Sequence, residues 1–580
     1  MSTESPEDRF EICDARRSIL DRDEHMLIVG GPGSGKTTIA LLKARRAVLN
    51  SLRPEQKVLF LSFSNSAIRR ILESSGNVLS PEVADQVEIK TYHSFAWDIL
   101  KSHGYLISNQ RRLCIIPAQD AAVRSAGIEK SDWEAEQERL FLEEGLVAYD
   151  RFAPRASEIL LRSSAARSLF CGAYPIILVD EFQDTDDDQW ALVKALSEGS
   201  TIVALGDREQ RIYGWRDGVS EHRLAEFEND LHPFTVDFRN ENNRSPATGI
   251  AGYARGLLSP ETNQDLPADI QQRYFQPPMF DVALRVSLLH TWQQTSKRTS
   301  GSSFNVAIAA RSKTMVRKIS DSLDKQMTIQ GILHSPVPHD VLLDQNQIVL
   351  AARVISNVLG SSVDAREDRL AQTLARVGDM LRASNKSTNI SKSDTLRKWA
   401  VKCSDLKPPN TKCVVALQRI FDELDRSGFV GSPTEDWISV RRKFEESDVD
   451  ELVRTGDFAR YLRLLRRGSV IEEQLASLWR STGTYVGAEE ALERAILQDQ
   501  IASDATEKAR ISVMNMHQLK GREYDGVLLV EDRHRTFRAH ENAPPYADTR
   551  RLLQVALTRA RSYAAILSQR RYGTLDVLNQ

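Results

Sequence analysis

"HMLIVGGPGSGKTTIALLKARRAVL", residues 25–49, decides the fold. A short apolar run leads into a glycine-rich turn, and an apolar-periodic helix follows. The turn fits G-x-x-x-x-G-K-[ST], with the strand before it and the helix after it that this loop requires. Gly30, Gly31, Pro32, Gly33, Ser34, Gly35, Lys36, Thr37 and Thr38 make up the phosphate-binding stretch. The glycines permit close backbone approach, so consecutive N–H groups surround phosphate oxygens, and the helix N-terminus adds its positive end. In that geometry Lys36 reaches the β- and γ-phosphates, and the Thr37 hydroxyl is a ligand for Mg²⁺.

Working outward, the same alternation recurs. "KVLFLSFS" (57–64), "YPIILVDE" (174–181) and "STIVALGD" (200–207) are further apolar strands with helical stretches between them. Such runs predict a parallel sheet covered on both faces. In "IILVDEFQDT" the apolar residues deliver Asp180 and Glu181 to the C-terminal end of the strand, where parallel sheets hold their ligands. Asp180 is the expected magnesium ligand, and Glu181 beside it is placed to polarise an attacking water. A second alternating segment begins at "NVAIAARSKTMVRKISDSL" (305–323), after the polar stretch "TSKRTSGSSF". It resumes at "RISVMNMHQLKGREYDGVLLVE" (510–531) and ends with "RLLQVALTRARSYAAILSQ" (551–569). The reading is α/β: two parallel-sheet cores, each interrupted by a mainly helical insert.

With 580 residues the chain is too long for one hydrophobic core. Lys+Arg number 77 against 80 Asp+Glu, a net −3 that neither requires nor excludes a nucleic-acid partner. The five cysteines lack C-x-x-C spacing, which gives no ground for a disulfide framework or a structural metal. No run reaches transmembrane length, and the N-terminus lacks a signal-like apolar stretch. The expectation is a cytoplasmic protein with no membrane partner.

At the motif level the sequence resembles the UvrD/Rep-like superfamily 1A DNA helicases. The matching stretches are "GGPGSGKTT", "LSFSNSAIRRI", "TYHSF", "VDEFQDT", "GDREQRIYGWRDG", "NVAIAARSKT", "MNMHQLKGREYDGVLLV" and "LLQVALTRAR", in family order. The resemblance implies two RecA-like cores in the 1A/1B/2A/2B architecture: core 1A at 1–100 and 168–255, and insert 1B at 101–167. Core 2A then takes 256–349 and 509–580, with a reduced insert 2B at 350–508. It implies ATP and Mg²⁺ as cofactors, and ATP hydrolysis coupled to 3′–5′ movement on single-stranded or tailed duplex DNA. Gln210, with Asp207, matches the motif that senses the γ-phosphate. Arg559 takes the arginine-finger position, and Glu523 that of the acidic ribose contact. A second arginine is expected in "DFRNENNRSPATGI", where Arg239 and Arg244 both fit. Phe63, Asn65, His93, Phe95, Tyr213, Trp215 and His517 fall at the family's DNA-contact motifs. An indole at Trp215 would stack on a base, since every base has a π-face. The alternative for Phe95 and Trp215 is a core role. Arg311 and Lys313 open the second core and are otherwise solvated cations.

Two departures stand out. The family's adenine-reading glutamine has no counterpart in "CDARRSILDRD" (13–23), so Asp14, Arg16 or Arg17 takes its place or base selectivity is relaxed. The second insert is also smaller than in the large repair members. In scale and motif set the chain resembles the helicase-like subunit of the Gabija antiviral defence system, which partners an OLD-family nuclease. That resemblance implies a DNA-sensing ATPase beside a nuclease partner, with little unwinding alone.

Overall fold

The structure, a computed structural model, describes residues 12–63, 65–76, 78–210, 218–238, 248–259, 265–299, 303–342, 345–461, 470–501, 510–532, 537–538, 541, 544–569 and 574–578. In chain order the first strands are β1 (Met26–Gly30), β2 (Val58–Ser62), β3 (Val87–Thr91), β4 (Cys114–Ile116), β5 (Leu146–Ala148), β6 (Ile176–Val179), β7 (Thr201–Gly206) and β8 (Phe234–Phe238). They are followed by β9 (Ile270–Phe275), β10 (Val306–Ala310), β11 (Met327–Ile329), β12 (Ile332–His334), β13 (Asp340–Val341), β14 (Ile511–Asn515), β15 (Tyr524–Val530) and β16 (Ala560–Gln569).

Two six-stranded sheets form, with orders β3-β2-β6-β7-β1-β8 and β13-β14-β10-β15-β16-β9. Every pairing within both is parallel. All residues of β1, β2, β6 and β10 are buried, as continuous Val/Ile/Leu runs require when helices cover both faces. The α/β class with two parallel-sheet cores therefore holds.

The chain divides into two compact units. One comprises residues 1–107, 152–343 and 506–580 and contains both six-stranded sheets. The other comprises 108–151 and 344–505. It holds the parallel pair β4–β5 and a set of helices from Gln345–Gly360 to Ala488–Ile501 around one apolar core.

The first inserted piece is thus shorter than the span 101–167 suggested by charge pattern. The helix Phe152–Arg162 buries Phe152, Ala156, Ile159 and Leu160, and Trp97 stacks on Phe152 with ring centroids 5.1 Å apart. That apolar stripe keeps the helix with the first sheet; the charged pattern that drew the wider boundary ends near Glu144. Among the described residues, no helix is long and apolar enough to cross a membrane.

Candidate nucleotide site

Parallel strands bring every C-terminal end to one edge. On the first sheet that edge carries the glycine loop after β1, Phe63 after β2, His93 after β3, Asp180 and Glu181 after β6, and Asp207 and Gln210 after β7. Residues far apart in sequence are collected there by topology alone.

The loop has the shape of a phosphate cradle. Gly35 caps the helix Lys36–Asn50 at φ +86°, a left-handed conformation that glycine adopts without strain. A Cβ at Gly30 would collide with Ser34 Oγ. Ser34 is buried, and its hydroxyl has no hydrogen-bond partner among the described residues. A buried hydroxyl in that state is costly unless a ligand oxygen completes it, so the loop fits a polyphosphate. Lys36 Nζ donates to Gly30 O (2.5 Å) and Gly31 O (3.1 Å), which holds the ammonium inside the loop.

Glu181 sits in the left-handed region, at φ 52° and ψ 40°. A non-glycine residue there carries strain of about 1–3 kcal/mol and persists only where its surroundings hold it. Gln183 supplies part of that hold. Its Nε2 donates to Glu181 Oε2 (2.7 Å), while its Oε1 accepts from Asp207 N (2.9 Å). Asp207 in turn accepts from Glu209 N (2.9 Å) and Gln210 Nε2 (2.8 Å). Burial pushes the Asp207 carboxyl above its ordinary range, and Lys36 and Lys520 pull it part of the way back. Behind this loop the buried Arg223 donates to Thr185 O (3.1 Å) and pairs with Asp187 and Glu226.

Arg559 and Lys520 reach into this edge from the second sheet. Arg559, 1 % exposed, directs Nη2 to Gln210 Oε1, with its Nε on Val555 O (3.1 Å). Lys520 bonds Asp184 Oδ2 and donates to Gln210 O (2.6 Å), with Glu181 Oε2 at 3.8 Å. Lys36, Glu181, Asp207, Gln210 and Arg559 therefore share one charged network that spans both sheets.

A profile described as "AAA domain" matches residues 16–216, and one described as "UvrD-like helicase C-terminal domain" matches residues 441–570. The chain is 20% identical to DNA helicase II of Salmonella typhimurium over 94% of its own length and 82% of that protein's. The Escherichia coli DNA helicase II gives 20% identity with the same coverage. The ATP-dependent DNA helicase PcrA of Leuconostoc citreum is 24% identical over 42% of this chain and 38% of its own. The chain is homologous to the UvrD/PcrA/Rep-like superfamily 1 helicases. The two profile matches fall on parts of both sheets: the first runs from before β1 past β7, and the second includes β14, β15 and β16.

Other expected residues fare differently. Phe95 is corrected: it is 1 % exposed and packs edge-on against Phe170 (6.1 Å) and Tyr174 (5.7 Å). It is a core residue with no face left for a base. His93 is half-buried, its ring 6.4 Å from Phe152, and Phe63 is half-buried at the sheet edge. Asn65 opens the helix Asn65–Ser75, and its side chain lies outside the described ones. Tyr213, Trp215, Arg239, Arg244 and Arg211 lie outside the described residues.

Glu523 accepts from Arg561 at 3.0 Å and 3.2 Å, and His517 is half-buried in a short 3-10 turn. Arg311 bonds Phe537 O and so ties two loops together, whereas Lys313 is exposed at the start of the helix Lys313–Asp324. Of the three residues near the missing glutamine, Arg16 turns towards the phosphate loop: its Nη2 lies 3.5 Å from Ser34 O and its guanidinium 5.1 Å from the Phe238 ring centre. Arg17 and Asp14 are exposed.

Sequence reasoning missed Gln183, Asp184, Arg223 and Lys520. The first two lie inside "DEFQDT" and Lys520 inside "HQLKGRE", so the signal was present without a role. Arg223 had none.

Proposed function

We propose that this chain is an ATP-dependent single-stranded DNA translocase and helicase that moves 3′ to 5′. The observation that carries the reading is the contact of Arg559, from the second sheet, with Gln210 at the nucleotide edge of the first. A group that reaches across two cores lets closure of the cleft and phosphate chemistry depend on each other. The relatives named as DNA helicases support DNA as the substrate tracked.

In this mechanism the loop amides and Lys36 hold the β- and γ-phosphates, and Thr37 and Asp180 are the protein's ligands for Mg²⁺. That ion, when bound, neutralises charge on the phosphates. Glu181 orients the attacking water and accepts its proton at a carboxylate oxygen. Gln210 and Arg559 place donors at the γ-phosphate, and Arg239 or Arg244 adds a second guanidinium. Glu523 contacts the ribose. On the DNA side, Phe63, Asn65, His93, Tyr213, Trp215 and His517 form the strand-contacting surface. The two cores are 1A and 2A, and the helical pieces 1B and 2B.

The test is ATP turnover and strand separation on matched 3′-tailed, 5′-tailed and blunt duplexes. Separation of the 3′-tailed substrate alone supports the reading. DNA-stimulated turnover without any separation overturns the helicase part. It would leave a DNA-sensing ATPase, the form expected of a subunit that works beside a nuclease in antiviral defence.

A further inference from the structure

Lys520 carries more than its place in a motif explains. Its side chain is 5 % exposed, and that of its partner Asp184 is 1 % exposed. Two charges so far out of water are retained only where the geometry satisfies them closely, so the pair is not a generic surface bridge. The ammonium serves three first-sheet groups: Asp184 Oδ2, Gln210 O at 2.6 Å, and Glu181 Oε2 at 3.8 Å.

The turn that presents it is tied to the second sheet. Asn515, the last residue of β14, accepts from His517 N (3.0 Å), and its own N–H donates to Gln518 Oε1 (2.9 Å). Asn515 Nδ2 also donates to Arg311 O, at the end of β10. Where the second sheet goes, Lys520 follows.

On the first sheet the consequence reaches Glu181. Gln183 Nε2 is shared between Glu181 Oε2 (2.7 Å) and Asp184 Oδ2 (3.4 Å). A shift of Asp184 therefore alters the partner that holds Glu181 in its left-handed conformation. Gln210 is gripped twice, at its carbonyl by Lys520 and at its side chain by Arg559.

We propose that Lys520 is a positioning residue: through Asp184 and Gln183 it makes the orientation of Glu181 depend on how the second sheet is seated against the first. The proposal rests on the ATPase reading above. The role assigned to Lys520 is to set Glu181, the carboxylate that accepts the proton.

The experiment uses the full chain, with steady-state ATP hydrolysis measured with and without an oligo-dT strand. Lys520→Ala, Asp184→Asn and the double variant are compared, with fluorescent-nucleotide binding and Tm recorded for each. Lys520→Ala should lower DNA-stimulated kcat by about tenfold or more while the KM for ATP stays within about threefold. Asp184→Asn should do the same, and the double variant should be no worse than Lys520→Ala, because both break one link. Lys520→Met keeps the aliphatic stem and replaces the alanine variant should that one fail to fold.

Wild-type kcat in Lys520→Ala or Lys520→Met overturns the proposal. So do losses that multiply in the double variant, or a rise in KM equal to the fall in kcat. If the unmodified chain shows no DNA-stimulated turnover, the ATPase reading itself fails. If the unmodified chain is active and the variants match it, only the role of Lys520 fails.

Discussion

The two compact units bury charge to different ends. In the unit with the sheets, Asp184, Asp207, Lys520 and Arg559 are buried within one connected network, together with Glu181 in a strained backbone position. In the helical unit the described buried charges sit in smaller, local groups. Arg353 pairs with Asp120 and Glu493, and Arg369 pairs with Asp425 while lying 4.4 Å above the Phe421 ring. Asp436 accepts from Val430 N, Gly431 N and the Tyr485 hydroxyl. Even the thiols are inert there: burial pushes Cys413 up to about 12, far from thiolate chemistry at neutral pH. A connected network transmits displacement, whereas local groups fix a packing arrangement. Connection, more than burial, marks where work is done.

That contrast can be broken most decisively at Glu181. Glu181→Gln should leave ATP bound and cut steady-state turnover by about 10²- to 10⁴-fold, with little change in Tm; appreciable turnover would remove it as the base. Phe95→Ala should behave in the opposite sense, losing about 3–5 kcal/mol of stability in denaturant titration because a buried ring is deleted. A selective loss of DNA binding at unchanged stability would restore Phe95 to the strand surface.

Smaller still is Arg353→Met in the helical unit. It leaves Asp120 and Glu493, both partly exposed, without their cation and should cost about 1–3 kcal/mol. ATP turnover per folded molecule should not change. Arg208→Ala, which removes an exposed pair with Glu228, should move stability by less than about 1 kcal/mol.

The pH dependence sharpens the comparison further, because activity and stability run in opposite directions at Asp207. Its folded-state pKa is raised by burial, so the stability it contributes is present at low pH and lost as pH rises through that value. Turnover needs the carboxylate, which accepts from Gln210 Nε2, so it should fall as pH drops through the same raised pKa. Asp207→Asn should abolish the titration in a pH–kcat profile.

Much of this was legible in the sequence because the parallel-sheet code is local. Four apolar residues in a row at Ile176–Val179 announce a buried strand, and a parallel strand fixes where the next two residues, Asp180 and Glu181, must emerge. Phe95 shows the limit: an aromatic beside a strand end reads the same whether its ring faces a ligand or the core, and Phe170 and Tyr174, distant in sequence, decide it. Lys520 shows another. Its importance comes from Asp184 and Gln210, some three hundred residues earlier, and no spacing rule joins them. The boundary near residue 151 was hidden for the same reason, since only tertiary contact reveals which side claims the helix Phe152–Arg162.

The register of the second sheet also has a consequence for the order in which the chain is assembled. Strand β10 pairs on one side with β14, Val306 against Ile511, and on the other with β15, Val306 against Gly526. Its fully apolar stretch Val306–Ala310 is therefore synthesised long before either neighbour exists. At the pace of ribosomal elongation, about 5–20 residues per second, some two hundred residues amount to roughly 10–40 s with both strand edges open. During that interval the helical segment between them can close on its own core. Until both neighbours are made, the nascent β10 is open to mispairing along its edges.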